Sequence, residues 1–472
     1  MILLGNCIDK TYGVLGLSRT GLAALHSFLL SNARVVAWDD NPAVLQNLKD
    51  RIDHPKGALD FVVAQAYLDG RLKLMSEPVS VMGKLAGLVV SPGIAIQYQK
   101  VHATVAIARQ FKVPLLSDIE LLQSACQQAR YIGITGTNGK STTTALVGHI
   151  YKSSNRRAQV GGNIGIPVLS LDPMVEDGTY IVELSSFQLE IGNPLQLDVA
   201  VLINITPDHL DRYPSMKEYV DAKMRVFAAS NRTKAVISID YPITAEIADK
   251  LLSQGYRVIP ISTKKQVPGG ISVIEGVLLD SIEKETISYM LPALPNLRGR
   301  HNSENLAAAY AACRAGGLSH QSILGALPNF IGLPHRMQIV GEKDMLCFIN
   351  DSKATNIDSA RCSLEAFDNI IWIAGGVCKD EGIKAVADLF PKLRYVYLIG
   401  EAAVQFAAVL QEYKVPHTIA GTLAKAMSLI GESHYKAGNV LLAPACASLD
   451  QWKNFEERGE AFCKMAKEQF LS

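Results

Sequence analysis

Residues 132–143 commit this part of the chain to a buried strand, a glycine-rich turn and a helix. They read Ile-Gly-Ile-Thr-Gly-Thr-Asn-Gly-Lys-Ser-Thr-Thr. Gly136 and Gly139 let the backbone approach phosphate oxygens without a Cβ in the way. The N-terminus of the following helix and the ammonium of Lys140 both favour anions. The segment therefore predicts a phosphate-binding loop within an α/β domain.

The residues that follow the lysine predict a metal ion beside the phosphate. Ser141 or Thr142 offers the hydroxyl that binds Mg²⁺ in such loops. The spacing is a variant, because Ile134 stands where the common motif G-x-x-x-x-G-K-[ST] has its first glycine. An isolated Gly-Lys-Ser is often an ordinary turn, but the strand, the glycines and the helix together favour nucleotide binding.

Short apolar, β-branched segments alternate with helical patterns along the chain, which predicts parallel sheets covered by helices. A length of 472 residues suits about three domains. We place them at 1–117, 118–333 and 334–472. The predicted strands lie at 14–17, 34–38, 88–90 and 114–116, at 180–183, 199–205, 235–239 and 258–261, and at 346–349, 370–374, 395–399 and 440–442. Residues 269–291 predict a small antiparallel part, and residues 305–315 a helix.

Charge and cysteine usage exclude several classes of protein. With 46 basic and 45 acidic residues the net charge is +1, which removes a bulk electrostatic case for binding nucleic acid or a membrane surface. The eight cysteines lack metal-ligand spacing, as expected for free thiols in a reducing compartment. Residues 1–10 do not resemble a signal peptide, and no run of 18 apolar residues occurs. We expect a cytoplasmic protein without a membrane span.

A second glycine-rich turn lies near the N-terminus. Gly16-Leu-Ser18-Arg-Thr-Gly21 approximates G-x-G-x-x-G, and Asp39 follows at the next strand end. Ser18 replaces the middle glycine that normally admits a pyrophosphate, so the pattern indicates a more general nucleotide-type ligand. A purely structural turn, a helix-capping role for Asp39 and a nicotinamide-dependent oxidoreductase remain alternatives.

Polar residues also gather where other predicted strands end. Glu183 and His209 suit a divalent cation near the phosphate loop. Lys223 lies in a helical segment, and its residue type and neighbours favour a solvated lysine. Arg336, Lys353 and Lys379 could bring positive charge to a transferred phosphoryl group or an acidic substrate. The run from His301 to Asn305 predicts either an adenine site or a helix cap by Asn302 or Ser303.

The ordered motifs together resemble the Mur ligase family and span nearly the whole chain. They are Thr135-Gly-Thr-Asn-Gly-Lys-Ser-Thr142, Gly161-Gly-Asn-Ile-Gly165, Glu183-Leu-Ser-Ser-Phe-Gln-Leu-Glu190, Pro207-Asp-His-Leu-Asp-Arg-Tyr213, His301-Asn302, Gly332-Leu-Pro-His-Arg336, Asn350-Asp-Ser-Lys-Ala-Thr355 and the segment Pro444 to Phe455. Folylpolyglutamate synthases share the phosphate loop. The motifs beginning at Glu183 and Ser448 point to the D-glutamate-adding member of the family.

The resemblance implies a fold and a reaction. The expected fold is a Rossmann-like N-terminal domain for a UDP-sugar peptide, a central ATPase domain, and a Rossmann-like C-terminal domain for the incoming amino acid. ATP would phosphorylate the alanyl carboxylate of UDP-MurNAc-L-Ala, and the amine of D-glutamate would attack the acyl phosphate. The implied cofactors are ATP and Mg²⁺, with Mn²⁺ as an alternative metal, and the protein is expected to act as a monomer.

The resemblance also implies roles for individual residues. The catalytic set is Lys140, Lys223, His209 and Lys353. ATP would contact Gly136, Thr137, Asn138, Gly139, Lys140, Ser141, Thr142, Asn302, Asn305, Arg336 and Asp351. The metal would be held by Ser141, Thr142, Glu183, His209 and Lys223, the last as a carbamate, which replaces the solvated-lysine interpretation. The UDP substrate would contact Arg19, Thr20, Asp39, Ser91, Gly93 and Asn163. D-Glutamate would contact Thr355, Lys379, Ser448, Leu449 and Phe455.

Two other functions compete with the ligase. An oxidoreductase would use the first glycine-rich turn but would leave the phosphate loop unexplained. A nucleotide-gated binding protein without chemistry would bind ATP and form no product.

Overall fold

A computed structural model describes residues 1–76, 79–98, 101–378 and 382–471. It contains three β-sheets, all mostly parallel, with helices between most successive strands. The predicted α/β fold with a small antiparallel part is confirmed.

The first sheet has five parallel strands in the order β3-β2-β1-β4-β5. The strands are β1 Thr11–Leu15, β2 Arg34–Trp38, β3 Leu72–Leu74, β4 Gly87–Val90 and β5 Leu115–Leu116. The helices are α1 Arg19–Leu30, α2 Pro42–Asp53, α3 Ala58–Leu68, α4 Ala103–Gln110 and α5 Asp118–Ala125. The chain order reverses between β1 and β4, and at such a switch point the carboxyl ends of the strands leave a crevice for a ligand.

The second sheet has nine strands in the order β14-β13-β12-β11-β10-β9-β6-β8-β7. The strands are β6 Arg130–Thr135, β7 Ala158–Gly162, β8 Thr179–Glu183, β9 Val199–Leu202, β10 Lys234–Ser238, β11 Arg257–Ser262, β12 Ile271–Ile274, β13 Val277–Asp280 and β14 Ile287–Met290. The helices are α6 Lys140–Ser153, α7 Ser186–Glu190, α8 Met216–Met224, α9 Pro242–Ser253, α10 Arg300–Ala315 and α11 His320–Ala326. Strand β6, which leads into the phosphate loop, lies between β8 and β9.

The third sheet has six strands in the order β15-β16-β20-β17-β18-β19, and only the pairing of β15 with β16 is antiparallel. The strands are β15 Gln338–Lys343, β16 Leu346–Asn350, β17 Ile370–Gly375, β18 Leu393–Ile399, β19 His417–Gly421 and β20 Gly438–Leu442. The helices are α12 Ile357–Ala366, α13 Ala403–Glu412, α14 Leu423–Glu432 and α15 Phe455–Ala466. Side chains of Asn356 and Asn454 cap α12 and α15, so both helices begin at defined positions after a loop.

The chain forms two compact units. One contains residues 1–289 and 307–326 and holds the first sheet and nearly all of the second, and the other contains residues 290–306 and 327–472 and holds the third sheet. The domain boundaries at 117/118 and 333/334 stay predictions.

Helix α10 begins five residues earlier than the sequence pattern predicts. It starts at Arg300, so Asn302 and Ser303 lie inside the helix, and the prediction that one of them caps it is wrong. Among the described residues, no helix combines the length and apolar character that crossing a membrane requires.

Candidate functional site

The crevice at the switch point of the first sheet is a cavity of about 420 Å³. Its walls come from the ends of β1 and β4, the start of α1, and the turn after β7. All six residues predicted to contact a UDP substrate line it, namely Arg19, Thr20, Asp39, Ser91, Gly93 and Asn163.

The glycine-rich turn of this cavity has the geometry that its glycines predict. Gly16 has φ +84°, and a Cβ on Gly21 would lie 1.8 Å from the carbonyl oxygen of Gly16. Only glycine at position 21 therefore lets α1 pack this close to β1. The Ser91 hydroxyl donates to the Gly16 carbonyl at 2.8 Å.

Asp39 supports the turn instead of capping a helix. Its carboxylate accepts hydrogen bonds from the backbone N–H groups of Leu17, at 2.7 Å, and Asn41, at 2.9 Å. The cap of α2 is Asn41, whose side chain accepts from Ala43 N. The capping alternative for Asp39 is wrong.

Arg212 holds one wall of the cavity. Apart from its place in a family motif, no sequence pattern indicated this role. Its guanidinium donates to the carbonyl oxygens of residues 92–94 at 3.2–3.4 Å. The same group lies 3.7 Å from the centre of the Phe187 ring and 3.7 Å from the Glu190 carboxylate. Arg212 thus ties the loop after β4 to residues that follow β8.

The phosphate loop is fixed by hydrogen bonds from the segment after β9. The N–H of Thr137 donates to the Asn204 carbonyl and the N–H of Asn138 to the Asn204 side chain, both at 2.9 Å. The hydroxyls of Thr137 and Tyr219 lie 3.1 Å apart. Gly139 has φ +82° and stands before the first residue of α6, where a left-handed conformation favours glycine.

Two lysines converge on one carbonyl of this loop. Lys140 Nζ donates to the carbonyls of Gly136, at 3.0 Å, and Thr137, at 2.6 Å, while Lys223 Nζ donates to the Gly136 carbonyl at 2.8 Å. Lys223 is only 1% exposed, so its interpretation as a solvated lysine is wrong. Burial, together with the charge of Lys140, holds the pKa of Lys223 well below its usual range.

A buried carboxylate lies on the strand beside the loop. Glu183 pairs in register with Ile134 of β6 and is 2% exposed. Its Oε1 accepts a hydrogen bond from Asn163 Nδ2 at 2.7 Å, whereas Oε2 has no partner within the described part of the chain. Asn163 therefore connects the first cavity to Glu183. A buried carboxylate oxygen without a donor fits a cation.

His209 follows β9 on the same side of the sheet. Its backbone has φ +55°, its side chain is 44% exposed, and Nε2 lies 3.5 Å from Asp208. Partial burial and the charges of Lys140 and Lys223 lower the pKa of His209, which favours the neutral imidazole that binds metals.

The metal-site prediction also included hydroxyl ligands. Ser141 is buried and Thr142 partly buried in the first turn of α6. No group of three or more His, Cys, Asp or Glu residues that could hold a metal occurs among the residues described. A cation near this loop would therefore need ligands of another kind, such as hydroxyls, phosphate oxygens or a modified lysine.

The predicted adenine-side residues lie on the first turns of α10. Asn302 Nδ2 donates to the Arg298 carbonyl at 2.9 Å, and Asn305 Nδ2 donates to Asn302 Oδ1 at 3.0 Å. His301 Nε2 lies 3.1 Å from the sulfur of Met337, and burial lowers the pKa of His301 to about 4. His301 is thus a neutral ring at physiological pH.

Arg336 lies just before β15 of the third sheet, and Asp351 lies just after β16. Asp351 accepts hydrogen bonds from the Met337 N–H, at 3.1 Å, and from the Ser363 hydroxyl, and its burial raises the pKa of the carboxyl. Arg336 stands between His335 and Met337, which have φ values of +61° and +44°. Two left-handed non-glycine positions that flank one arginine are a strained arrangement of the kind that clusters at functional sites.

The residues predicted for D-glutamate lie at the carboxyl edge of the third sheet. Lys353 Nζ lies 4.7 Å from the centre of the Phe455 ring, and Thr355 N donates to the Lys353 carbonyl at 2.8 Å. Ser448 is buried, whereas Leu449 is 69% exposed. Lys379 lies outside the described residues.

Arg458, which the sequence reasoning missed, joins two loops of this edge. It is 1% exposed and donates to the hydroxyl and carbonyl of Ser352, at 3.0 and 2.8 Å, and to the Cys446 carbonyl at 3.1 Å. Burial lowers the pKa of Arg458 to about 10. The sequence signal available for Arg458 was a cationic side chain on the buried face of α15.

Comparison with known proteins gives consistent matches over the whole chain. Residues 134–313 match the Mur ligase middle domain, and residues 335–446 match the Mur ligase, glutamate ligase domain. A UDP-N-acetylmuramoylalanine–D-glutamate ligase of Rhodospirillum rubrum is 41% identical over 98% of this chain and 95% of its own length. A protein of the same name from Caulobacter vibrioides is 40% identical over 96% of this chain and 95% of its length.

Solved structures with the same fold are more distant in sequence. The UDP-N-acetylmuramate-alanine ligase of Thermotoga maritima has a TM-score of 0.57 at 16% identity and covers 97% of this chain and 99% of its own. A MurF structure from Acinetobacter baumannii has a TM-score of 0.58 at 15% identity, covering 94% of this chain and 90% of its own. These likenesses support the fold.

Proposed function

The chain belongs to the Mur ligase family, and on that premise we propose that it is an ATP-dependent ligase joining D-glutamate to UDP-MurNAc-L-Ala. Relatives 40–41% identical over nearly the full chain carry the name UDP-N-acetylmuramoylalanine–D-glutamate ligase. The observation that carries the proposal is the convergence of Lys140 and Lys223 on the Gly136 carbonyl. Beside them lies the buried Glu183, whose Oε2 has no donor among the residues that the structure describes.

The cavity of the first sheet would bind the UDP-sugar peptide. Arg19, Thr20 and Asp39 line one side, and Ser91 and Gly93 line another. The N-terminus of α1 favours the diphosphate there. Asn163, which lines the cavity and hydrogen bonds with Glu183, would contact the substrate at the end nearest the phosphate loop.

The phosphate loop would bind ATP and promote phosphoryl transfer. Backbone N–H groups at the N-terminus of α6 and the ammonium of Lys140 would bind phosphate oxygens. The alanyl carboxylate attacks the γ-phosphorus, a new P–O bond forms, and the bond to ADP breaks. The carboxylate oxygen thereby becomes part of a good leaving group.

Amide formation would follow on the acyl phosphate. The neutral amine of D-glutamate attacks the carbonyl carbon, the bond to phosphate oxygen breaks, and the amine loses a proton. Positive groups near the loop stabilise the phosphate that leaves. Water must be excluded, since it would hydrolyse the acyl phosphate.

The residues around the loop fit a divalent metal. Glu183 Oε2, the hydroxyls of Ser141 and Thr142, the imidazole of His209 and a carbamate on Lys223 would hold Mg²⁺, with Mn²⁺ as an alternative. When bound, such an ion neutralises phosphate charge during transfer. The unpartnered oxygen of Glu183 supports this assignment.

Carbamylation of Lys223 is part of the proposal. The lowered pKa of Lys223 favours the neutral amine, which is the form that adds to CO₂ to give a carbamate and a proton. The product replaces a second cation next to Lys140 with an anionic oxygen donor. Burial of the side chain and its direct contact with the loop support this chemistry.

The second compact unit carries the remaining predicted contacts. Asn302, Asn305, Arg336 and Asp351 are proposed for the nucleotide. Lys353, Thr355, Lys379, Ser448, Leu449 and Phe455 are proposed for D-glutamate. The family match over residues 335–446, described as a glutamate ligase domain, supports an acidic amino acid as the acceptor.

We also propose domains at 1–117, 118–333 and 334–472, a cytoplasmic location and a monomeric state. ATP and UDP-linked substrates and eight free cysteines suit that location. Light scattering of the purified protein tests the monomer.

The decisive experiment measures phosphate release from ATP. We expect turnover only when UDP-MurNAc-L-Ala and D-glutamate are both present, with the amide product found by mass spectrometry. Equal turnover with L-glutamate, or none with D-glutamate, would refute the assignment. ATP binding without product in any combination of substrates would favour a binding protein, and NAD(P)H binding would favour an oxidoreductase.

A further inference from the structure

Two loops of the third sheet are joined by a short antiparallel contact. After β17, the N–H of Val377 donates to the Ala447 carbonyl at 2.9 Å, and the N–H of Ala447 donates to the Val377 carbonyl at 3.0 Å. The exchange of both hydrogen bonds makes this a hydrogen-bonded pair of antiparallel strands. The next residues along the two segments, Cys378 and Cys446, therefore face each other.

The position of these cysteines suits a disulfide. Directly opposite residues without hydrogen bonds between them have Cα atoms about 4.5 Å apart and side chains on the same face. That separation falls within the range a disulfide needs. Close approach is made easier by Gly376, at which an added Cβ would lie 3.1 Å from the Cys446 Cβ.

The two thiols already contact each other. Cys446 is buried in the apolar core beneath the sheet, and Cys378 packs against it while remaining partly exposed. Burial, the charge of the Cys378 thiolate and a hydrogen bond between the two thiols all raise the pKa of Cys446. Cys378 is thus the thiol that a solute reaches first, and Cys446 lies behind it.

We propose that Cys378 and Cys446, the cysteine pair, form a reversible disulfide when the protein meets a peroxide. The Cys378 thiol releases its proton, and the thiolate attacks one oxygen of hydrogen peroxide. The O–O bond breaks, a sulfenic acid forms, and the hydroxide that leaves takes up the released proton to become water. The Cys446 sulfur then attacks the Cys378 sulfur, an S–S bond forms, and a second water leaves. Two thiols are oxidised and one peroxide is reduced.

The location of the cysteine pair gives the disulfide a consequence for activity. Cys378 immediately precedes Lys379, and Cys446 lies two residues before Ser448. Both neighbours are assigned to D-glutamate in the proposed function, on which this step rests. A covalent link between the loops restricts their adjustment to the amino acid, so oxidation should raise the KM for D-glutamate by roughly threefold or more.

The test treats the purified full chain with hydrogen peroxide, alkylates the remaining thiols and digests with trypsin. Cleavage after lysine and arginine places Cys446 in peptide 437–453, and Cys362 and Cys378 together in peptide 362–379. We expect a crosslinked species of these two peptides that dithiothreitol removes. KM for D-glutamate should rise with the crosslink and fall again on reduction.

Two variants make the result specific. Cys378→Ser should abolish the crosslink and the change in KM, whereas Cys347→Ser, which alters a partly buried cysteine of β16, should preserve both. A crosslink that persists in Cys378→Ser would assign it to Cys362 and overturn the proposal, as would oxidation to sulfinic acids without a crosslink. A crosslink without a change in KM would refute the effect on D-glutamate use. Complete inactivity before oxidation would count against the proposed function alone, since mass spectrometry still reports the disulfide.

Discussion

The two glycine-rich turns share their geometry but differ in how their polar groups are satisfied. The turn at residues 16–21 is closed by Asp39 and Ser91, which bond to its N–H and carbonyl groups. The turn at residues 136–140 instead receives hydrogen bonds from two lysine side chains on a single carbonyl, and Glu183 Oε2 nearby has no donor among the described residues. Each turn follows a strand that has a parallel neighbour on both sides.

The two turns therefore suit different tasks, the first the recognition of a substrate and the second the reaction. A turn whose polar groups are paired within its own domain keeps its shape without a ligand, and it selects ligands by fit. A turn that gathers positive groups beside a carboxylate oxygen without a donor among the described residues gains further stabilisation when phosphates and a cation arrive. The first turn should therefore respond to changes in shape, and the second to changes in charge.

Removing charge from the second turn should have the largest effect. Lys223→Ala deletes the amine that we propose becomes a carbamate, so kcat should fall by more than about 10³-fold. Steady-state phosphate release measures this. Short-chain carboxylates such as acetate should restore part of the activity, because they can replace the lost anionic oxygens.

Lys217→Ala is the matched control for that variant. Lys217 lies on the same helix, but its side chain is 80% exposed and paired with Asp221. It should keep nearly full activity. Activity of Lys223→Ala close to that of the unmodified protein would break the contrast between the two turns.

Glu183→Gln should sharpen the contrast by testing the unpartnered oxygen. The amide keeps the shape and can still accept from Asn163, but it lacks the charge that attracts a cation. We expect the Mg²⁺ concentration for half-maximal activity to rise by about 10–100-fold. The exposed Glu176→Gln variant serves as the control. An unchanged Mg²⁺ requirement would remove Glu183 from the metal site.

Arg212→Ala should have a smaller effect, confined to the first cavity. Loss of the bonds to residues 92–94 frees one wall, so KM for the UDP substrate should rise about tenfold with little change in kcat. Arg212→Lys should recover part of this, since lysine keeps the charge but not the planar guanidinium. The exposed Arg232→Ala should change neither constant. A drop in kcat alone would contradict a positioning role.

The smallest effect concerns Asp118, a buried carboxyl away from both turns. It is the first residue of α5, its Oδ2 has no partner among the described residues, and burial raises its pKa to about 6. The folded protein binds the Asp118 proton more tightly than the unfolded chain does. The resulting contribution to stability is fully present below pH 3.8, the ordinary pKa, and is lost as the pH rises through about 6.

Asp118→Asn cannot ionise and avoids that loss. Its Tm should exceed that of the unmodified protein by about 1–3 °C at pH 8 and should match it at pH 4. Thermal unfolding followed by circular dichroism at the two pH values measures the difference. An equal or lower Tm at pH 8 would mean that the unpartnered oxygen has a ligand after all.

The sequence predicted the interior of each sheet better than its edges. Predicted strands such as those at 34–38 and 370–374 are buried on both faces, which gives continuous apolar runs that are easy to recognise. The four strands that were not predicted, β3, β7, β15 and β19, all lie at sheet edges. These strands are mostly only partly buried, so their sequences lack the continuous apolar run of a central strand.

Candidate site residues were predictable where topology gathers them. Residues at the carboxyl ends of parallel strands share an edge, and for this reason the predicted UDP contacts line one cavity. Burial of Lys223 was not predictable, because it depends on how α8 packs against the phosphate loop. The bonds of Arg212 join segments more than 110 residues apart, a pairing that no local pattern records.

Lys140 makes nucleotide binding an exchange. Its ammonium is already engaged with the carbonyls of Gly136 and Thr137, so an incoming phosphate competes with the loop's own oxygens. Losing these two hydrogen bonds therefore offsets part of the attraction between the ammonium and the phosphate. The same bonds keep the loop in shape between turnovers. After ADP departs, the lysine can return to these carbonyls. The loop thus keeps the shape of the site when no nucleotide is bound, and the bonds that it must give up lower its affinity for nucleotide.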